Sequence, residues 1–474
     1  MPGPTTILTA AARFRPDSGR GRRSRMAACM APLLLLILLT GCSPFDSHRR
    51  SLADLHASGR YDLARDTLQT AEIADLYDEK NELLRQLDLG AVALALGDYD
   101  EAVRHLNIAE AMMERRREES FLESLGVLLI NDRQRPYLGE PYEDMYLNVL
   151  KMAAHLGAGR IHDGAAIEAR RMATKANLLR DEYLRLLPKT RDAASFAADR
   201  FPSQLRSTAA VNEQGEFIES PLGVFLTAVA WMHSGDPSNQ AVAGRRLLQA
   251  IEAQRPFIGP VDEAPFREIV ELHPSDANTL IIAFSGRGPI KTPWRFGPLL
   301  IYDTPVYFEL PVLHWTPSEA RTVTISLRSG PEGATEETTV ALHLIEDLSS
   351  VANENHRRQL PLTYIRTFGR AAAKAVGATF ATRAVRDSSG DDAALGVAIA
   401  SLLFIIFTER ADLRSWTFLP GQAHVGLMSL EPGVHQIRVE YRSGSGQVLH
   451  AAPWREVVID DSIGLATTVE HYWR

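Results

Sequence analysis

Cysteine is almost absent from this chain of 474 residues, with only Cys29 and Cys42. A disulfide-stapled scaffold is therefore excluded. Positive charge is in deficit: the formal net charge is −8. That excludes a grip on nucleic acid through a general basic field. Long apolar runs are also missing. The two longest, 30–39 and 393–407, fall short of the roughly 20 residues that span a bilayer. With a mean hydropathy of −0.12 the chain is not a polytopic membrane protein. There is no His-Glu-x-x-His helix, no Gly-x-Ser-x-Gly elbow and no Gly-x-x-x-x-Gly-Lys-Ser/Thr loop. The 14 His are scattered singly, without metal-ligand spacing. No metal, no cofactor and no enzymatic activity are expected.

What is present begins with an address. Arg13, Arg15, Arg20, Arg22, Arg23 and Arg25 precede the apolar run 30–39, as a charged segment precedes the core of an export signal. The run ends in Leu39-Thr40-Gly41-Cys42. This resembles the lipobox of bacterial lipoproteins, in which small residues admit the peptidase and the cysteine thiol is acylated. The motif stands whether translation starts at Met1 or Met26. The expected organisation is a signal peptide over 1–41, lipidation at Cys42 and a polar tether over 42–50. Two or more acyl chains anchor a protein stably. Ser43 follows the cysteine where an Asp would favour inner-membrane retention, so the resemblance implies the outer membrane, facing the periplasm. Loss of residues 1–41, with six Arg and one Asp, takes the charge from −8 to −13.

Residues 51–255 are poor in Gly and Pro, and apolar residues recur at helical spacing. Gly59, Tyr61, Ala64 and Leu68 share their spacing with Gly97, Tyr99, Ala102 and Leu106, 38 residues later. This looks like the turn and second helix of a tetratricopeptide repeat. The glycine closes one helix, the tyrosine packs across the turn, and the alanine admits close helix contact. Weaker copies start at Gly159 and Gly235, and each needs one extra residue. Single helix pairs cannot bury their faces, so they stack. The block 135–146 clusters prolines, tyrosines and acids. Tyr137, Glu140, Tyr142 and Asp144 are candidates for contact with a basic or aromatic partner, against a rigid connector in which the tyrosines pack between repeats. The mixed-charge run 113–119 reads as a solvated helix end.

Beyond Arg255-Pro256 the periodicity changes. Strand-like runs lie at 279–284, 306–310, 322–327, 338–344, 425–430, 435–441, 447–450, 456–459 and 466–472, with turn signals between them. A β-sandwich-like domain over 256–474 is the natural solution. A helical hairpin interrupts it at about 360–411. Its second arm, 393–407, holds fifteen residues without charge. At about 1.5 Å per residue it is too short to cross a membrane, which favours a buried helix. Gly286–Lys291 reads as a basic turn. Asp412 and Arg414 are placed to tie the hairpin to the sheet, with Trp416 as a packed anchor.

The expected fold class is therefore α+β and multidomain. Together the lipobox, the Gly-Asp-Tyr-x-x-Ala repeat, Tyr137-Leu138-Gly139-Glu140-Pro141-Tyr142-Glu143, Glu168-Ala169-Arg170-Arg171 and Ala411-Asp412-Leu413-Arg414-Ser415-Trp416 resemble a family of uncharacterised proteobacterial lipoproteins with tetratricopeptide repeats. Some of its members are encoded near lipoproteins similar to penicillin-binding-protein activators, which implies cell-envelope biogenesis by association. The third repeat departs from the family pattern by an extra residue near His162. The leading expectation is a membrane-anchored adaptor or scaffold that binds envelope proteins through its helical repeats. The alternatives are a membrane-acting or homo-oligomeric component using the apolar hairpin, and a cell-wall or glycan hydrolase, whose paired acids are set by spatial rather than sequential spacing.

Overall fold

The computed structural model describes residues 44–122, 135–200, 218–258, 277–301, 304–329, 337–391, 393–398, 401, 410–460 and 464–474. Helices fill the first half and strands the second. The helices are α1 (Pro44–Ala57), α2 (Tyr61–Gln69), α3 (Ala71–Ala95), α4 (Tyr99–Leu122), α5 (Pro141–Gly157), α6 (Ala166–Arg200), α7 (Pro221–Met232) and α8 (Pro237–Ile258). The strands are β1 (Thr279–Arg287), β2 (Ile290–Ile301), β3 (Thr304–His314), β4 (Thr322–Ser329), β5 (Glu337–Ala341) and β6 (His343–Asp347). After a long helix, α9 (Leu348–Ser389), come β7 (Pro420–Met428), β8 (Gly433–Arg442), β9 (Val448–Ala451), β10 (Arg455–Ile459) and β11 (Ala466–Tyr472). Residues 1–51 form one unit, whose described part is the start of α1, and residues 52–474 form another. The tether expected over 42–50 is helical from Pro44 onward. Proline is tolerated in a first helical turn, where its missing N–H costs nothing, and Asp46 faces the positive helix end.

From α2 to α8, each helix packs on the next in chain order. The turns repeat one conformation. Gly59, Gly97, Gly159 and Gly235 have φ of 68°, 76°, 70° and 70°, a left-handed region that suits glycine. In the first three, the following amide reaches back to close the helix: Arg60 to the Leu55 carbonyl at 3.0 Å, Asp98 to Ala93 at 2.9 Å and Arg160 to His155 at 2.8 Å. Ala64, Leu68, Ala102 and Leu106 are fully buried. The Tyr99 ring lies over Gly157, where an added Cβ would stand 2.6 Å from it. In the third copy the extra residue is taken up by a π-helical turn, Ile161–Ala165. Such a turn accommodates one insertion in an α-helix. It leaves Ala165 and Ala169 buried like Ala64 and Leu68.

The strands form a sheet of order β11-β1-β7-β6, a second of order β10-β8-β4-β5 with β9 beside β8, and a β2-β3 ribbon. Ile281, Ala283 and Tyr472 of the first sheet share an apolar cluster with Val323, Ile325, Ile437, Val439 and Tyr441 of the second. The strand expected over 338–344 breaks at Leu342, so that β5 joins the second sheet and β6 the first. Strand β2 is not among the expected runs, and it contains Pro293 and Pro298. Pro293 sits opposite Pro311 in a ribbon where each strand has one partner, and a strand edge tolerates a missing donor. Lys291, expected in a basic turn, is consequently a buried strand residue.

Helix α9 starts at Leu348, ahead of the expected hairpin, because Asp347 caps it by accepting the Ser350 N–H at 3.0 Å. It packs against α6 and β3, with Ala371 and Ala375 against Val306 and Phe308. It stops at Gly390, with φ 87°. Near this turn the burial expected of the hairpin does not hold. Phe380 is 65% exposed and Leu395 54%, although Ala394 is buried. Residues 402–409 of the second arm lie outside the described residues.

Candidate functional site: a buried loop on the helical face

Residues 411–419 adopt no helix or strand, yet Ala411, Arg414, Ser415, Trp416, Thr417, Phe418 and Leu419 are all buried. A buried main chain must find hydrogen-bond partners. Here the helices supply them. The Trp416 N–H donates to Glu143 Oε1 at 2.7 Å. The Thr417 and Phe418 N–H groups share Asp88 Oδ1, at 2.9 and 3.3 Å. His56 Nδ1 meets the Thr417 carbonyl at 2.8 Å, and its ring stacks on Phe418 with centroids 4.9 Å apart. At the end of the segment the Gly288 N–H donates to the Leu419 carbonyl at 2.6 Å. A Cβ at Gly288 would stand 2.8 Å from that oxygen, so the approach depends on glycine.

The side chains continue the pattern. Arg414 holds Asp412 through Nε and Nη2, at 2.8 and 2.7 Å. Its Nη1 donates to Asn81 Oδ1 at 3.1 Å and to the Arg135 carbonyl at 3.0 Å. The guanidinium lies 5.2 Å from the centroid of the Tyr137 ring, a cation–π distance. Arg414 thus joins the helical region, where a tie to the sheet was expected. Asn81 is positioned by a break in α3 at Asp78, whose φ of 48° is left-handed. The Asp78 carboxylate restarts the helix by accepting the Lys80 and Asn81 N–H groups, at 2.8 and 3.1 Å.

A buried charge cluster backs the segment. Lys291 is ion-paired with Glu140, and His356 Nδ1 lies 3.8 Å from the same carboxylate. Burial works against the Glu140 charge, but Lys291 and His356 override it and hold its carboxyl far below the usual range. Burial pushes the Glu143 carboxyl up, with Lys291 opposing. Glu143 accepts from the Tyr137 hydroxyl at 2.5 Å and the Glu140 N–H at 2.9 Å. The His56 ring is lowered to about 4 by burial, partly offset by Thr417, so it stands neutral and donates from Nδ1.

Further along the same face, Glu346 of β6 accepts from the Tyr146 hydroxyl at 2.6 Å, the Ser220 hydroxyl at 2.6 Å and the Leu222 N–H at 2.8 Å. Burial pushes it up to about 7 against these donors. These hydrogen bonds come from α1 (His56), α3 (Asn81, Asp88), α5 (Glu143, Tyr146) and the start of α7, and Tyr61 of α2 adds a ring contact to Phe418, with centroids 6.1 Å apart.

The sequence candidates distribute as follows. Cys42 lies outside the described residues. The eight repeat positions form the turns and packed faces of α1 to α4. Tyr137, Tyr142 and Asp144 are buried, and the Glu140 side chain is 19% exposed. These four are therefore internal and offer no open recognition surface. Asp144 belongs to an ion network across α4, α5 and α6. Lys151, with no exposed surface, meets Glu110 at 2.7 Å and Glu168 at 2.9 Å. Lys175 meets Glu110 at 3.0 Å and Asp144 at 2.7 Å, and Arg117 pairs with Asp144. The run 113–119 is only partly solvated, since Arg116 is buried and donates to the Tyr137 and Glu79 carbonyls. Sequence reasoning missed His56 and Asp88. Asp88 carried a signal: it is the only charged residue in 87–95, and a lone acid in an apolar helix needs a donor. His56 carried none.

Among the described residues no group of His, Cys, Asp and Glu is arranged to hold a metal, and no helix is long and apolar enough to cross a membrane. No protein family, no curated protein and no solved structure matches the chain.

Proposed function

We propose that this chain is a lipid-anchored adaptor of the bacterial cell envelope, held through Cys42 on the outer membrane and facing the periplasm. In this reading the helices are tetratricopeptide-like repeats, and the two facing sheets form a sandwich-like domain with α9 inserted. One observation carries the proposal. The helical face holds a buried loop from a distant part of the chain by its main-chain amides, through Asp88 and Glu143 from successive helix pairs, a mode of capture open to a bound peptide as well. The four turns at Gly59, Gly97, Gly159 and Gly235 support the repeat reading, and the lipobox supports the address. The role is non-enzymatic binding.

The test is in-cell crosslinking, purification of the mature lipoprotein in mild detergent and mass spectrometry. The expected result is one abundant envelope protein, together with loss of membrane fractionation in Cys42→Ser. Recovery of self-crosslinked chain alone overturns the adaptor reading. It would favour the second reading, a homo-oligomeric or membrane-acting component, for which the exposure of Phe380 and Leu395 speaks.

A further inference from the structure

The helical face is already filled by the chain itself. The segment 411–419 has the attributes of a bound peptide. It is an irregular loop with a turn at Thr417 and Phe418, and most of it is buried. It is held by helix side chains on its main chain, with one arginine and one tryptophan two residues apart as its anchors. Main-chain capture by Asp88 and Glu143 reads no side chain, so any chain that turns in the same way satisfies it. Selectivity comes from the two anchors: Arg414, placed between Asn81, the Arg135 carbonyl and the Tyr137 ring, and Trp416, 1% exposed.

We propose that residues 411–419 are a resident, self-inhibitory ligand, and that the external partner of this groove is a peptide that takes the same turn, with an arginine two residues before an aromatic side chain. The inference rests on the adaptor reading and names the class of partner for the same site. A tethered segment acts at an effective concentration of order millimolar. An external peptide making the same contacts is therefore disfavoured by the ratio of that concentration to its own Kd. Binding in trans requires that the resident segment be weakened or displaced.

The experiment uses the mature full-length chain in mild detergent and a fluorescent peptide of residues 410–419. Arg414→Ala in the chain removes charge-assisted bonds of the resident segment and leaves Asp88, Glu143, Asn81 and Tyr137 in place. The expected result is binding to Arg414→Ala at least about tenfold tighter than to the unaltered chain, the equivalent of about 1.4 kcal/mol, with no binding of a scrambled peptide. Equal affinity for both chains, with the variant folded by circular dichroism, overturns the proposal. Hydrogen exchange on the unaltered chain decides the matter if the variant does not fold. A displaceable segment exchanges its Trp416, Thr417 and Phe418 amides by local opening, at least about tenfold faster than Ile281 and Ile282 of β1. Equal protection overturns the idea. A crosslinked envelope partner without peptide binding removes this inference and leaves the adaptor reading standing. Peptide binding without any cellular partner removes the adaptor reading and, with it, the external partner inferred here.

Discussion

The helical region and the sheets bury different chemistry. Between the two larger sheets the cluster is aliphatic and aromatic, with Ile281, Val323, Ile325, Ile437, Val439 and Tyr441 meeting across the gap. Between α4, α5 and α6 the interior holds Glu110, Asp144, Asn148, Lys151, Glu168 and Lys175. Apolar burial is non-directional and scales with area. Buried charge is directional, and removing one partner leaves the other unsatisfied. The sheets are thus held by quantity and the helices by particular pairs. The segment 411–419 belongs to the second kind, since it docks through named acceptors.

The sharpest way to break this contrast is Lys151→Ala. It removes the buried cation shared by Glu110 and Glu168, leaving them Lys175 and Arg171, and should cost about 3 kcal/mol, against about 1 kcal/mol for Ile325→Val between the sheets. Urea unfolding of the chain measures both. Equal costs would mean that the ion network is dispensable. Next, Trp416→Ala should cost about 3 kcal/mol and raise the exchange of the Thr417 amide more than that of β1 amides. A uniform change in exchange would show that the segment opens only with the whole protein.

A pH titration of stability tests the buried histidines. Burial lowers His56, His105, His233 and His424 to about 4, with Arg104 and Glu101 also acting on His105, and lowers His471 to about 3. Their unfolded value is near 6.5, so their stabilisation is complete above that pH and is lost as pH falls toward 4. Glu346, raised to about 7, acts oppositely. Its stabilising effect is full below its unfolded value near 4.5 and is lost as pH rises to 7. Burial also raises Glu143 and Glu470, but the five lowered histidines outnumber these three carboxyls, so unfolding free energy should fall from pH 6.5 to 4, and His56→Gln should make that fall shallower. An unchanged slope would place His56 in contact with solvent. The smallest effect separates two turns. Gly97→Ala meets no atom within 4 Å and should cost about 1 kcal/mol of backbone strain. Gly59→Ala should cost more, because its Cβ would meet the Trp473 ring.

Much of this architecture was legible. Periods of 3.6 and 2 placed the helices and most strands, since those periods report which side of an element is buried. The glycine at each helix-pair turn was legible because few other residues adopt its φ. Even the extra residue of the third copy had a structural counterpart, the π-helical turn. Strand β2, which contains Pro293, was not legible, because sequence does not say whether a strand has one partner or two. The candidate site was half legible. Both halves of it, 135–146 and 411–416, stood out as unusual blocks, but nothing in the chain joined residues separated by 273 positions, as Glu143 and Trp416 are.

By itself, then, the sequence determined most of the order of helices and strands and the helix-closing glycines. These depend on local backbone preference and local periodicity. Only the tertiary structure decided that Tyr137, Tyr142 and Asp144 face inward, that Lys151 lies among three helices, and that residues 411–419 occupy the helical face. Burial of a polar group is tolerable only when its partner arrives, and here the partners come from distant parts of the chain.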